Sequence, residues 1–474
     1  MGISKITLAY PNFKWGKWSE STGWSMFPYN LCLIAAMVEK KYEVNILDTI
    51  QDNMTEEQFA QELDRIKPDV LGLSVITSEY AESGLLAAKI AKQNNPRIIT
   101  VIGGVSANST PRLFAENPSV DYVIAGEGEF VFRDLCFFLD GKGDFPKKGI
   151  MYKKNGVLVD TGRAEFIQDL NSLPLPSYHL IDFNRYANII QRESTDHPRA
   201  LPFGRIRTSR GCPYNCCFCE IESIAGKKPR FRTIDNIAAE LDMLTKNYGI
   251  KGLMFDDDNL IVDTKRAKAL FRMMIEKKYY LKWNAPGVAV YKLDDEMLEL
   301  MKESGCAYLN VAVESGSERV LKEIIDKPVD LEKAKITLGL IKKHDIDLAV
   351  NFVIGFPGET WDEIRQTIKF AEDIDVDYVK IFVAIPFPNT KLYELAKEEG
   401  YLRPDFDPNK HLWTEGWINS KDWRPQDLQI LRAYEWDRIN FSHRKKRIKI
   451  AKMMGVTEER LEEIRKWTLA RANP

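Results

Sequence analysis

Residues 208–220 read TSRGCPYNCCFCE and pack four thiols into eight residues. The whole chain has only seven cysteines in 474 residues, too few for a disulfide scaffold, so this concentration points to metal. Cys212, Cys216 and Cys219 are separated by three residues and then two, which puts three soft thiolates on one tight loop, the ligand type of an iron–sulfur cluster. A cubane held by three cysteines keeps one iron without a protein ligand, open to a substrate or cofactor. Gly211 and Pro213 suit the bend such a loop needs. A structural zinc site would need a fourth ligand, either the adjacent Cys217 or one of five scattered histidines. Cys217 is expected to point away from the metal. Cys32, Cys136 and Cys306 sit in apolar surroundings and read as core.

Downstream of the loop the chain alternates strand and helix. Strands are predicted at Arg205–Thr208, Gly252–Phe255, Tyr280–Asn284, Tyr308–Val313, Asp347–Ile354 and Tyr378–Val383, with amphipathic helices between them. Six βα units predict a partial (β/α)6 barrel, whose functional residues belong at the carboxyl ends of the strands. Beyond Tyr401 the rhythm stops, and a Trp-rich tail (Trp413, Trp417, Trp423, Trp436, Trp467) ending in two polar helices reads as a mainly helical cap.

Upstream, strands near 3–10, 42–47, 70–75, 98–102 and 122–124 interleave with four helical periods. That alternation predicts a doubly wound, Rossmann- or flavodoxin-like parallel sheet. Gly103, Gly104 and the Gly126-Glu127-Gly128-Glu129 run fall at its carboxyl edge, where ligands bind and small residues let them approach. Residues 141–200 are proline-rich and aperiodic, a linker with a hairpin near Met151–Val159. The expected division is therefore 1–140, 141–200, 201–400 and 401–474. Residues 13–27, with three tryptophans, form a long aromatic loop that either covers a ligand or packs as core.

The cysteine spacing, together with three motifs downstream of it, resembles the radical SAM (S-adenosylmethionine) superfamily over roughly residues 204–395. The resemblance implies a [4Fe-4S] cluster on Cys212, Cys216 and Cys219, with Phe218 against the adenine of SAM. FDDDN at 255–259 corresponds to the segment holding the SAM amino group, which selects Asp257 and Asp258. VAVESGSERVLK at 311–322 resembles the element whose Glu contacts the ribose, which selects Glu314 with Ser315 beside it. NFVIGFPGET at 351–360 resembles the strand lining the adenine, through Asn351 and Gly355. Read singly, the Asp run is equally a helix cap and GFPGE a plain turn. The first domain is similar to the cobalamin-binding domain fused to many such enzymes, which implies that Ser74, Gly103, Gly104, Gly126, Glu127, Gly128 and Glu129 line the nucleotide tail. No His precedes His179, so the resemblance implies base-off cobalamin without a histidine ligand.

The function so implied is cobalamin-dependent methyl transfer from SAM to an unactivated carbon or phosphinate centre after hydrogen abstraction by a 5′-deoxyadenosyl radical. The alternatives are a radical SAM cyclase acting on a tetrapyrrole, lipid or small metabolite, and an iron–sulfur redox or sensor protein that does not turn SAM over. A small reductant such as flavodoxin or ferredoxin is the expected partner. A net charge of -2 gives no bulk attraction to nucleic acid. The longest apolar run, Leu31 to Val38, is far below a membrane span, and with no signal peptide a cytoplasmic address is expected. His443 to Arg447 reads as a solvated helix face, and His197 as a loop residue just upstream of the cluster.

Overall fold

The computed structural model describes residues 2–15, 27–188, 195–409 and 415–472. Two compact units emerge: Met1–Phe183 with Ser223–Gly226 and Asp407–Leu412, and Asn184–Glu222 with Lys227–Phe406 and Trp413–Pro474.

In the first unit, strands β1 (Lys5–Tyr10), β2 (Glu43–Asp48), β3 (Val70–Ser74), β4 (Ile99–Gly103) and β5 (Tyr122–Ile124) run parallel. The order is β2-β1-β3-β4-β5, continued antiparallel by β6 (Ile150–Lys154) and β7 (Val157–Asp160). The 150–160 hairpin thus extends the sheet rather than standing apart from it. Because its strands are apolar on both faces, the sheet has a core on each side. One is built around Phe59, Leu63, Leu71 and Phe114. The other gathers Ile6, Leu31, Phe132 and Leu135. Of the aromatic loop, residues 16–26 lie outside the described residues. Its amino-terminal end packs as core: Phe13 stacks on Tyr80 at 5.3 Å, and the Trp15 indole donates to the carbonyl of Met54 at 2.8 Å.

In the second unit, β8 (Phe203–Ile206) is followed by a short antiparallel pair, β9 (Ser209–Arg210) with β10 (Arg230–Phe231). Then come β11 (Gly252–Phe255), β12 (Lys282–Val288), β13 (Cys306–Glu314), β14 (Asp347–Ile354) and β15 (Tyr378–Val383). The six long strands are all parallel in the order β15-β14-β13-β12-β11-β8, and the barrel does not close. The sequence places the first barrel strand two residues late and breaks the third at Asn284, where β12 continues to Val288.

An open barrel leaves an edge strand with unpaired backbone groups. At β15 the helix Pro425–Phe441 covers it. The Asn440 side chain accepts from the amide of Val379 at 2.8 Å and donates to its carbonyl at 2.8 Å, taking the place of a seventh strand. The Trp436 indole donates to the Tyr378 hydroxyl at 2.9 Å. Among the described residues the chain ends, as expected, in two polar helices, Arg444–Met454 and Glu458–Ala472. The basic run is not merely solvated: Lys446 and Arg447 donate to the carbonyls of Ile439 and Phe441, closing the end of the preceding helix. Trp413 lies outside the described residues.

Candidate functional site

The cysteine loop leaves β9 at the carboxyl end of β8. Cys212, Cys216 and Cys219 keep partial exposure, whereas Cys32, Cys136, Cys217 and Cys306 are buried. Burial pushes the Cys216 thiol up to about 11, with Lys327 pulling it back, and the Cys219 thiol up to about 12. Cys212 is raised too, by burial first. Cys219 feels the charges of both Cys216 and Cys212. Cys217 has the opposite role: its amide donates to the carbonyl of Ile325 at 2.9 Å, and its carbonyl accepts from the amide of Leu392 at 2.9 Å. It pins the loop while its neighbours stay free.

FDDDN supplies two further supports. Asp257 is buried and accepts from the amide and hydroxyl of Thr208, the latter at 2.7 Å, and from the hydroxyl of Ser209. Its carboxylate is thus committed to holding the entry of the loop. Asp258 accepts from the amide of Gly211 at 2.7 Å and lies within charge range of Cys212 and Cys219. Asn259 is buried, bonds toward Cys212 and leaves its amide oxygen without a partner.

Glu314 ends β13 with φ of 76°, a left-handed backbone that a non-glycine residue rarely adopts. Its carboxylate is buried against Lys327 at 2.8 Å, and both groups are felt by Cys216. Lys327 escaped the sequence reading, whose motif stops at residue 322. Ser315 is fully buried and shares a hydrogen bond with Thr367 at 3.0 Å, so it braces the turn. Phe218 faces Phe356, beside Gly355, with ring centroids 5.8 Å apart. Glu359 holds that glycine turn by accepting from the amides of Gly355 at 2.6 Å and Phe356 at 3.0 Å. Burial raises Glu359 to about 7. The Trp423 indole donates to its carbonyl at 2.8 Å. Asn351 sits lower, at mid-strand, paired in register with Ala312 and Lys380.

In the first unit, Gly104 has φ of 98°, and a Cβ there would lie 2.6 Å from the carbonyl oxygen of Val75. Gly126 has φ of 113°, and its Cβ would meet Ala164 at 2.6 Å. Glu127 accepts from the amide of Ile167 at 2.6 Å, so the 161–167 segment is stitched across the GEGE run. Gly128 begins the helix Gly128–Leu139, and Glu129 is buried in its first turn. Ser74 and Gly103 are only partly buried, and a Cβ on Gly103 would find nothing nearer than 3.9 Å. Asn108, also missed from sequence, is the node: its amide nitrogen donates to the carbonyl of Gly104 at 3.2 Å, and its oxygen accepts from the amide of Gly126 at 2.5 Å and from Arg163 at 2.9 Å.

Comparison with known proteins accords with both units. Residues 206–371 match the radical SAM superfamily and residues 20–136 the B12 binding domain. An uncharacterized methyltransferase of Pyrococcus horikoshii is 33% identical over 84% of this chain and 84% of its own. The chain belongs to the cobalamin-binding radical SAM enzymes. The cytidylyl-2-hydroxyethylphosphonate methyltransferase of Streptomyces wedmorensis is 28% identical over 86% of this chain and 85% of its own. The solved structure of the radical SAM methyltransferase TsrM from Kitasatospora setae shares the fold, with a TM-score of 0.67 at 18% identity over 85% of this chain and 76% of its own.

Radical SAM enzymes with a B12 domain use a [4Fe-4S] cluster, SAM and cobalamin, and the residues present suit all three. Among the described residues no group of three His, Cys, Asp or Glu is drawn close enough to hold a single metal ion, so the fit rests on donor chemistry. Three thiols share one loop that a fourth cysteine anchors, and a buried lysine offsets their charge. For cobalamin, Gly103 leaves a cradle that a side chain would fill, and the buried hydroxyl of Ser106 beside it has no partner.

Proposed function

We propose that this radical SAM enzyme transfers a methyl group from SAM to a carbon or phosphinate centre of a small substrate. What supports it is that both domains together align, over 84% of the chain, with a protein named as a methyltransferase. When bound, the cluster supplies one electron to cleave SAM, and cobalamin supplies a carrier for methyl.

The chain's own residues do the positioning. Cys212, Cys216 and Cys219 hold the cluster, and Asp258 and Asp257 fix the loop that carries them. Glu314 presents a carboxylate for the SAM ribose while Lys327 neutralises it. Phe218, with Phe356 and Gly355, walls the adenine. Ser74, Gly103 and Gly104 receive the nucleotide tail of cobalamin, and Gly126 to Glu129 support that cleft through the 161–167 segment. His179, the sole histidine of the described first unit, pairs with Glu39 at 3.1 Å, which favours base-off binding without an imidazole ligand. Among the described residues no helix is long and apolar enough to cross a membrane. A cytoplasmic address, a flavodoxin- or ferredoxin-like reductant and no role for nucleic acid belong to the same proposal.

The test is anaerobic reconstitution with iron, sulfide and hydroxocobalamin, followed by reduction with SAM present. Formation of both 5′-deoxyadenosine and S-adenosylhomocysteine is expected. Deoxyadenosine without S-adenosylhomocysteine, in an enzyme whose visible spectrum shows bound cobalamin, would reject methyl transfer.

A further inference from the structure

The sequence of β13 to β15 alternates between two kinds of residue, and parallel register collects one kind on a single face. Ala312 pairs with Asn351, and Asn351 with Lys380. On the opposite face Val311, Val350, Phe352 and Val379 are fully buried. On the inner face Ala312, Asn351, Val353, Lys380 and Phe382 all keep accessible surface. The lumen is therefore open over this layer.

Its floor is charged and amide-lined. Asp196, from the segment entering β8, lies 2.7 Å from the Lys380 ammonium, and the two side chains retain 29% and 14% exposure. The other Asp196 oxygen accepts from the Tyr308 hydroxyl at 3.0 Å. His197 closes the bottom: it is buried, bonded to Arg199 at 3.0 Å and turned toward the carbonyl of Pro198. The Asn284 amide nitrogen donates to the carbonyl of His197 at 3.3 Å, and that of Asn310 points at Asp196 at 3.5 Å. Those donations fix the amides with their oxygens turned away, and neither oxygen has a partner. The Asn351 oxygen is likewise unpaired. Above this layer the walls become apolar at Val353 and Phe382.

Buried acceptors without donors, beside a partly exposed ion pair, carry a free-energy cost that a hydrocarbon leaves in place and a ligand supplying hydroxyl or amino groups relieves. We propose that Asn351 and the Asp196–Lys380 pair form the polar floor of the substrate pocket, and that they select a water-soluble substrate carrying hydroxyl or amino donors. The assignment rests on the methyl-transfer reading and moves Asn351, expected from sequence at SAM, to the substrate.

The probe is S-[methyl-²H₃]-adenosylmethionine, given with reductant to the reconstituted holoenzyme and to an extract of the source cells separated into water-soluble and chloroform-soluble fractions. Deuterium is expected in a water-soluble compound. Asn351→Leu should lower that labelling at least tenfold while iron content, cobalamin content and melting temperature hold, and Lys380→Met should lower it as far while iron and cobalamin content hold. Lys380→Arg should restore part of it. Label confined to the chloroform fraction, or undiminished in Asn351→Leu, overturns the polar floor and leaves methyl transfer standing. Label in neither fraction, with deoxyadenosine formed, overturns methyl transfer and this assignment with it.

Discussion

Glu359 offers a measurement in which the structure predicts both the sign and the size. Its carboxyl is fully buried, two backbone amides occupy one oxygen, and the other oxygen has no partner. Burial outweighs the two amides and lifts the group from 4.5 to about 7. A raised carboxyl means that the folded chain holds a proton the unfolded chain has released, so stability falls as pH climbs from about 4.5 to about 7. At about 1.4 kcal/mol per unit, the penalty is roughly 1.4 kcal/mol at pH 5.5 and roughly 3.3 kcal/mol at pH 8. Glu359→Gln removes the ionisation but keeps an oxygen for the amides of Gly355 and Phe356. Any cost of the unpaired amide nitrogen is the same at both pH values and cancels in the difference. The variant should therefore gain about 2 kcal/mol on wild type between pH 5.5 and 8, which is roughly 4 °C for a unit of this size. The assay is thermal unfolding of both proteins, followed by circular dichroism at the two pH values. A change in the Tm gap below 1 °C, or a gap that narrows as pH rises, refutes the reasoning.

Three more outcomes are expected from the same geometry. Alanine at Cys212, Cys216 or Cys219 should abolish iron binding and deoxyadenosine formation, whereas Cys217→Ala should keep its iron, because Cys217 acts through backbone bonds to Ile325 and Leu392; iron and sulfide assays decide it. Lys327→Met leaves Glu314 buried and unpaired, which should cost about 3–5 kcal/mol in urea unfolding, while Glu314→Gln with Lys327→Met should recover part of that loss. Asn108→Ala unties the Gly104 and Gly126 loops and should weaken cobalamin binding about tenfold, near 1.4 kcal/mol. Cobinamide, which lacks the nucleotide, should bind the variant as it binds wild type; equal weakening of both would show Asn108 to be merely structural.

Strands were legible because burial on both faces demands short, continuous apolar runs between helical periods, and the ends were not. β12 runs past Asn284 into Pro286 and Gly287, residues that read as a terminator but here accompany a register shift beside β13. The cysteines were legible because their spacing is local. So was Cys217, whose adjacency to Cys216 leaves it facing the other way. Partners distant in sequence were not. Asp196 and Lys380 are 184 positions apart, and nothing in either neighbourhood names the other. Asn108 resembles an ordinary helix residue until Gly104 and Gly126 are folded around it. For Gly126 and Glu127 the small-residue pattern is real, but the body approaching it most closely is the chain's own 161–167 segment.

The end of β13 shows how local irregularities combine into one device. A register shift lies between Ala312 and Glu314, so the strand leaves its ladder just where the carboxylate must turn. Glu314 then takes its left-handed backbone, at a cost of roughly 1–3 kcal/mol. The next helix, Val320–Ile325, is wound as a π-helix, a wider turn than the α form and common at functional sites. Its wider turn brings Asp326 into a left-handed cap and returns Lys327 to Glu314, thirteen residues on. The carbonyl of Ile325, at the end of that helix, accepts the amide of Cys217. Bulge, strained residue, π-turn and cysteine loop are thus linked by hydrogen bonds and one buried ion pair. Relaxing the π-helix to α geometry would shift the register of Lys327 and Ile325 together. The carboxylate would then lose its counterion and the cysteine loop its anchor, so neither irregularity can be repaired without disturbing the other.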